Sequence, residues 1–213
     1  MLCFRNHKSK TTRKSLHRRV KFKSLHEKAK HIDSLIGDYI KTQETSFVPM
    51  GTLQEIVPTI FPNCIMLNFG LHKLVFHLKH KSHELALKIG KPEAIEVDHR
   101  AYKQLPQSLR HVYFARVFWH TQYCLLQEYG IEAEVSDEEL GQLRIIATEY
   151  GLLDITCDNI RKVNGNLKII DASIAPPGLF RLWKTADVIK LGLPQPIRKA
   201  IRKARILLSS KER

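Results

Sequence analysis

Asn164-Gly165 is the feature that most restricts how this chain can fold. It separates Asn159-Ile160-Arg161-Lys162-Val163 from Asn166-Leu167-Lys168-Ile169-Ile170, two short runs rich in β-branched and apolar residues. An Asn-Gly pair between such runs specifies a two-residue type I′ turn, because both central positions need positive φ and these residues tolerate it best. A hairpin over 159–170 returns its two ends to one place. Those ends are polar: Asn159 opens the hairpin, Asp171 closes it, and Asp154 lies five residues before Asn159 on the loop leading in. An Asp and an Asn beside a second Asp form the set a magnesium–phosphate site needs. Two supply hard oxygen ligands, and one carboxylate is left to orient an attacking hydroxyl. Turn and cap residues around an ordinary hairpin would look the same, so the upstream elements must discriminate.

Upstream, Ile65–Phe69, Lys73–Leu78 and Glu84–Ile89 have the composition of strands, joined by Gly70-Leu71-His72 and by the polar run Lys79–His83. A helix over about 93–105 follows, ending at Leu105-Pro106. Two more apolar runs, Val112–Trp119 and Tyr123–Gln127, predict strands that lead into Glu128-Tyr129-Gly130. Three strands, a helix and two strands make an antiparallel sheet with one helix on it. Ahead of the sheet, Leu25, Ala29, Ile32, Leu35, Ile36, Tyr39 and Ile40 recur at the spacing of an amphipathic helix. Residues 46–62 hold three prolines and predict a connector with one short helical turn. After the sheet, Ser136-Asp137-Glu138-Glu139 is a capping box that opens a helix with Leu140, Leu143, Ile146, Ala147 and Tyr150 on one face. Gly151 is its natural stop.

Charge is unevenly placed along the 213 residues. Residues 1–32 carry eleven Lys/Arg against one acid, a net +10, and residues 181–213 carry ten against two, a net +8. The overall charge is +14, so the body between them is acidic, at −4. Two basic ends on an acidic body point to an anionic partner such as RNA, the ribosome, DNA or anionic lipid, or simply to solubilising tails. Residues 1–23 lack periodic apolar positions and predict a flexible arm; their basic, Ser/Thr-containing character is also compatible with a transit peptide. No stretch approaches the roughly 20 apolar residues of a spanning helix. The four cysteines, Cys3, Cys64, Cys124 and Cys157, form no CxxC pair, which fits reduced thiols and a cytoplasmic location. Cys157 is expected to be a small packed residue, Trp119 a core or anchor residue, and His77, His80 and His83 solvated hairpin residues without the ligands to complete a metal site.

Leu152-Leu153-Asp154-Ile155-Thr156-Cys157-Asp158-Asn159 resembles the protein-kinase catalytic loop, in which Asp and Asn are separated by four residues. Ile169-Ile170-Asp171-Ala172-Ser173 resembles the strand-borne Asp-Phe-Gly segment, and Leu85-Ala86-Leu87-Lys88 the Val-Ala-Ile-Lys strand. Asn68-Phe69-Gly70 through Phe76 is similar to a thinned glycine-rich loop, and Gln127-Glu128-Tyr129-Gly130 falls at the place of the hinge. The five features keep their order over about 65–173, roughly half the chain. The resemblance implies a two-lobed, protein-kinase-like α+β fold with a five-stranded antiparallel N-lobe sheet and a reduced helical C-lobe. The expected division is a basic arm and amphipathic helix over 1–50, an N-lobe over 51–130 and a C-lobe with a basic tail over 131–213.

The resemblance further implies ATP and Mg²⁺ as cofactors. Asp154 would orient the attacking hydroxyl, Asn159 and Asp171 would bind the metal, and Lys88 would pair with the phosphates. Asp98 would be the acid partner of Lys88, with Glu96 and Glu93 as rivals; Gly70, Glu128 and Gly130 would line the nucleotide. The chain departs from the family pattern in keeping only Gly70 of the loop glycines, in Leu152 for His, and in Ala172-Ser173 for Phe-Gly. Only 42 residues follow Asp171, too few for an activation segment and a full helical subdomain, which resembles the minimal plan of RIO-type kinases and lipopolysaccharide-core sugar kinases. A pseudokinase that binds nucleic acid or ribosomes, and a small-molecule or sugar kinase, are the alternatives.

Overall fold

The computed structural model describes residues 20–45, 48–70 and 72–176. The basic arm up to residue 19 and the expected helical tail 196–208 lie outside the described residues. Five helices are described: α1 (Lys23–Thr42), α2 (Met50–Ile60), α3 (Pro92–Gln104), α4 (Gln107–Tyr113) and α5 (Asp137–Glu149). Five strands, β1 (Ile65–Phe69), β2 (Lys73–His80), β3 (His83–Gly90), β4 (Val117–His120) and β5 (Cys124–Glu128), form one antiparallel sheet in the order β1-β2-β3-β5-β4. Two small ladders follow, β6 (Leu152–Leu153) with β9 (Ser173–Ile174) and β7 (Ile160–Val163) with β8 (Asn166–Ile169). The class is α+β with a five-stranded antiparallel sheet, as the sequence predicts. Among the described residues no helix is long and apolar enough to cross a membrane.

The period of each element decides which face it buries. On α1, Leu25, Ala29, Ile32 and Ile36 recur every three or four residues and are all buried. They meet Leu53 and Val57 of α2 and the sheet face that carries Leu74, Phe76, Leu85, Leu87, Ile89 and Leu126. Each large aliphatic buried there contributes about 1.5–3 kcal/mol. Period two then sends Lys73, Val75, Ala86, Lys88 and Gln127 to the opposite face. A second cluster, built from Tyr102 of α3 and Leu105 just after it, Leu140 and Leu143 of α5, and Ile160 and Ile169 of the hairpin, lies beyond that face. That second face, carrying Lys73, Lys88 and Gln127, lines a cleft on the side of the sheet away from α1 and α2.

Three local expectations fail, the first two for identifiable reasons. Residues 50–60 form a helix of 11 residues rather than one turn, because Leu53 and Val57 bury at i, i+4, and Pro58 removes only its own bond to the carbonyl four residues back while Phe61 N still donates to the Val57 carbonyl at 2.8 Å. The strand expected over 112–119 begins only at Val117. Pro106 starts α4, and Arg110 Nη2 donates to the Leu105 carbonyl at 2.8 Å, so 107–113 is helical before the chain extends. Cys157 is exposed on a 3₁₀ turn, not packed. Trp119 is buried, as its apolar bulk predicts. The capping box forms with both reciprocal bonds, Glu139 N to Ser136 Oγ at 3.3 Å and Ser136 N to Glu139 Oε2 at 3.0 Å. Asn164 and Gly165 adopt φ of 50° and 86°, as a type I′ turn requires.

Candidate active site

Backbone ladders bring the polar residues together. Ile160 pairs with Ile169, and Ile170 N donates to the Asn159 carbonyl at 2.9 Å, so Asn159 and Asp171 emerge at the same end of the hairpin. Leu153 pairs with Ser173 across β6–β9, which returns the chain just after Asp171 to the side of Asp154. Asp154 itself has φ of 62°, a left-handed conformation that Asp tolerates better than most side chains. Asn159 Nδ2 donates to the Asp154 carbonyl at 2.8 Å and to Asp154 Oδ2 at 3.3 Å. That leaves the amide oxygen of Asn159 for another partner.

Lys88 faces this group from the middle of the sheet, between Val75 and Leu125. At 3% exposure its charge needs compensation. Its Nζ donates to Asp98 Oδ2 at 2.7 Å and to the Ile170 carbonyl at 2.8 Å, and it lies 3.9 Å from Asp171 Oδ1. Asp98, from α3, is thus the acid Lys88 meets; Glu96 approaches His120 instead, and Glu93 lines a neighbouring cavity. Lys73, which the sequence reading passed over, donates to both oxygens of Asp98 at 2.8 and 2.9 Å and sits 2.6 Å from Asp171 Oδ2. Two lysines and two aspartates therefore form a closed, charge-balanced ring. Gln127, also overlooked, is buried at 2% exposure and donates from Nε2 to the Ile170 carbonyl at 3.2 Å, fixing the strand end that carries Asp171.

The ring sets the ionisation of its members. Burial by itself would raise the Asp171 carboxyl, but the Lys88 and Lys73 ammonium groups outweigh it and hold Asp171 well below the usual carboxylate range. Asp98 is buried more deeply, and desolvation raises it against the pull of Lys88. Lys73 loses solvation too, yet Asp98 and Asp171 raise it above an ordinary lysine. Asp154 is raised by burial and then by the Asp171 charge.

A cleft of about 690 Å³ connects these groups to the other expected positions, with Gly70, Lys88, Glu128, Gly130, Asn159 and Asp171 on its wall. One oxygen of the Glu128 side chain is already engaged: Oε2 accepts from Arg116 N at 3.0 Å and from Lys168 Nζ at 3.2 Å. Gly130 packs against the hairpin so closely that a Cβ would lie 2.5 Å from Arg161 Cβ. Asp154 opens instead onto an adjoining cavity of about 450 Å³, and Lys73 and Asp171 line both spaces. A wider groove of about 1040 Å³, near His111, Ile131 and Leu143, contains none of this charge ring. The donors fit a hard divalent cation: the Asn159 oxygen is available, and the Lys73 ammonium at 2.6 Å shows that Asp171 already accepts a compact positive charge.

Two solved structures of the Mycobacterium tuberculosis PknI kinase domain are similar to the chain, each at 19% identity with a TM-score of 0.36. They cover 52% and 55% of this chain, which in turn spans 57% and 61% of those domains, less than two thirds of either. No protein-family model matches the chain, and no curated protein matches it. At such low structural similarity the alignments add nothing about chemistry, which stands on the geometry of the ring and the hairpin.

Proposed function

We propose that the chain is a kinase-like phosphotransferase that binds Mg·ATP between the sheet and the 159–171 hairpin. The observation that carries this reading is the placement of buried Lys88 across the cleft from Asp171, held by Asp98 at 2.7 Å. In this reading Lys88 pairs with the phosphates, and Asn159 and Asp171 hold Mg²⁺ through their oxygens. Gly70 lets the turn backbone approach the phosphates, while the main chain at Glu128 and Gly130 flanks the base. Bound magnesium would neutralise charge on the phosphate oxygens during transfer. Asp154 orients the attacking hydroxyl and takes its proton, as the bond from the γ-phosphorus to the bridging oxygen breaks and ADP leaves. Its raised carboxyl suits a group that must accept a proton. On this plan 51–130 acts as the nucleotide-binding lobe, 131–213 as the reduced C-lobe, and 1–50 as an arm and helix braced on the sheet. The charges of +10 and +8 on the terminal segments support an anionic partner, and the cysteine pattern supports a cytoplasmic setting.

The pseudokinase reading has one observation in its favour: Lys73 closes the ring on Asp171, where the metal would sit. Release of γ-phosphate from Mg·ATP separates the two. Activity in the wild type that falls about 10²-fold or more in Asp154→Asn, with nucleotide affinity retained, supports the phosphotransferase. Binding without turnover in the wild type supports the pseudokinase.

A further inference from the structure

A second chemistry-bearing cluster lies outside the ring. Glu96 and His99 stand three residues apart on α3 and so share a face. His120 ends β4, and its ring stacks on that of His99 with centroids 3.7 Å apart and 25° between planes. His120 Nε2 is 3.6 Å from Glu96 Oε2, and one ligand atom from each of the three residues lies within 4.8 Å of the others. Three ligands around a tetrahedral zinc-class ion at about 2.0–2.2 Å are about 3.4 Å apart. The Glu96–His120 pair is almost at that separation, and with all three ligand atoms already within 4.8 Å the set closes when the half-buried His99 ring rotates out of its stack to aim an in-plane nitrogen at the ion.

The turn behind His120 is already fixed. The Asp33 carboxylate of α1 accepts from Thr121 Oγ1 at 2.9 Å, Tyr123 N at 3.1 Å and Gln122 N at 3.2 Å. Two ligands thus come from a single helix face and the third from the end of β4, directly before an anchored turn, so the backbone needs little ordering on binding. Glu96 is exposed while both histidines are half-buried, which leaves an open side for a water ligand.

We propose that Glu96, His99 and His120 form a binding site for a zinc-class divalent ion that ties α3 to the end of β4. Two imidazoles and a carboxylate select a borderline transition metal over Mg²⁺ or Ca²⁺, which prefer all-oxygen sets. None of the three belongs to the charge ring, so the site stands whether or not the chain transfers phosphate. Its effect is mechanical: Asp98 lies between Glu96 and His99 on α3, and pinning that helix fixes the carboxylate that holds Lys88.

The test uses the full chain, stripped with chelator, desalted and titrated with Zn²⁺ by calorimetry, with Co²⁺ visible absorption as the spectroscopic check. One tight equivalent in the wild type is expected. Glu96→Gln, at an exposed position that does not threaten folding, should weaken Zn²⁺ at least tenfold, and the His99→Asn/His120→Asn double variant should lose the equivalent. Amide exchange within α3 should slow when Zn²⁺ is added to the wild type. No stoichiometric binding by the wild type, or wild-type affinity in the double variant, overturns the proposal. Binding that leaves α3 exchange unchanged removes the mechanical role.

Discussion

Replacing Asp98 by Asn tests whether the charge ring is a single energetic unit. The substitution keeps the shape of the side chain but removes the charge facing Lys88 Nζ at 2.7 Å and Lys73 Nζ at 2.8 and 2.9 Å. Lys88, 3% exposed, is then left with the Ile170 carbonyl at 2.8 Å and a longer contact to Asp171 at 3.9 Å. Breaking a buried ion pair from one side costs about 3–5 kcal/mol. The remaining acceptors place Asp98→Asn at the lower end, about 3 kcal/mol. For a chain of 213 residues that corresponds to a fall in Tm of about 6–12 °C, at roughly 2–4 °C per kcal/mol. Lys88→Met removes the opposite charge while keeping much of the volume, and Asp98→Asn/Lys88→Met removes both. Urea denaturation of all four proteins should give a coupling energy of about 2 kcal/mol, the double variant being less damaged than the sum of the singles. An Asp98→Asn protein within about 0.5 kcal/mol of wild type, or strictly additive losses, would refute the idea that Lys88 depends on this partner.

Three further outcomes follow from the same geometry. Lys73→Met removes the ammonium 2.6 Å from Asp171, so Mg²⁺ measured without nucleotide should bind severalfold more tightly; unchanged affinity would show that Lys73 does not compete for that carboxylate. Gly130→Ala puts a Cβ 2.5 Å from Arg161 Cβ and 2.9 Å from Val163 Cγ2, and overpacking of this kind should destabilise by about 1–3 kcal/mol in chemical denaturation. His99 is held down at about 4, so in metal-free protein the unfolded chain takes up a proton first as pH falls. The stability this group contributes is complete above its unfolded value of about 6.5 and is lost as pH drops toward 4. His99→Gln should flatten that slope, and an unaltered slope would assign it to other groups.

Much of the fold was legible because local and tertiary preferences agree. The alternation in Lys73–Leu78, the reciprocal bonds of Ser136 and Glu139, and the Asn164-Gly165 turn each specify their own structure before any packing is known. Asp154, Asn159 and Asp171 could be gathered in advance because a hairpin returns its ends. Residues 107–113 could not, since Val112 and Tyr113 have strand composition and only the cap at Pro106 and the turn held by Arg110 make them helical. Lys73 looks like the solvated first residue of an alternating strand; its partners lie 25 and 98 positions away. One signal did exist: strand register places Lys73 on the same face as Lys88, two residues from the position opposite it. The meeting of His99 with His120 had no such signal, because it depends on how α3 crosses the sheet.

Binding of Mg·ATP by the wild type and by Asp171→Ala is the measurement that bears most directly on the site. Wild-type protein should bind the nucleotide in a magnesium-dependent manner, and Asp171→Ala should lose that dependence along with most of the affinity. Equal Mg·ATP affinity in the two proteins would contradict the assignment of Asp171 to the metal and, with it, the phosphotransfer reading.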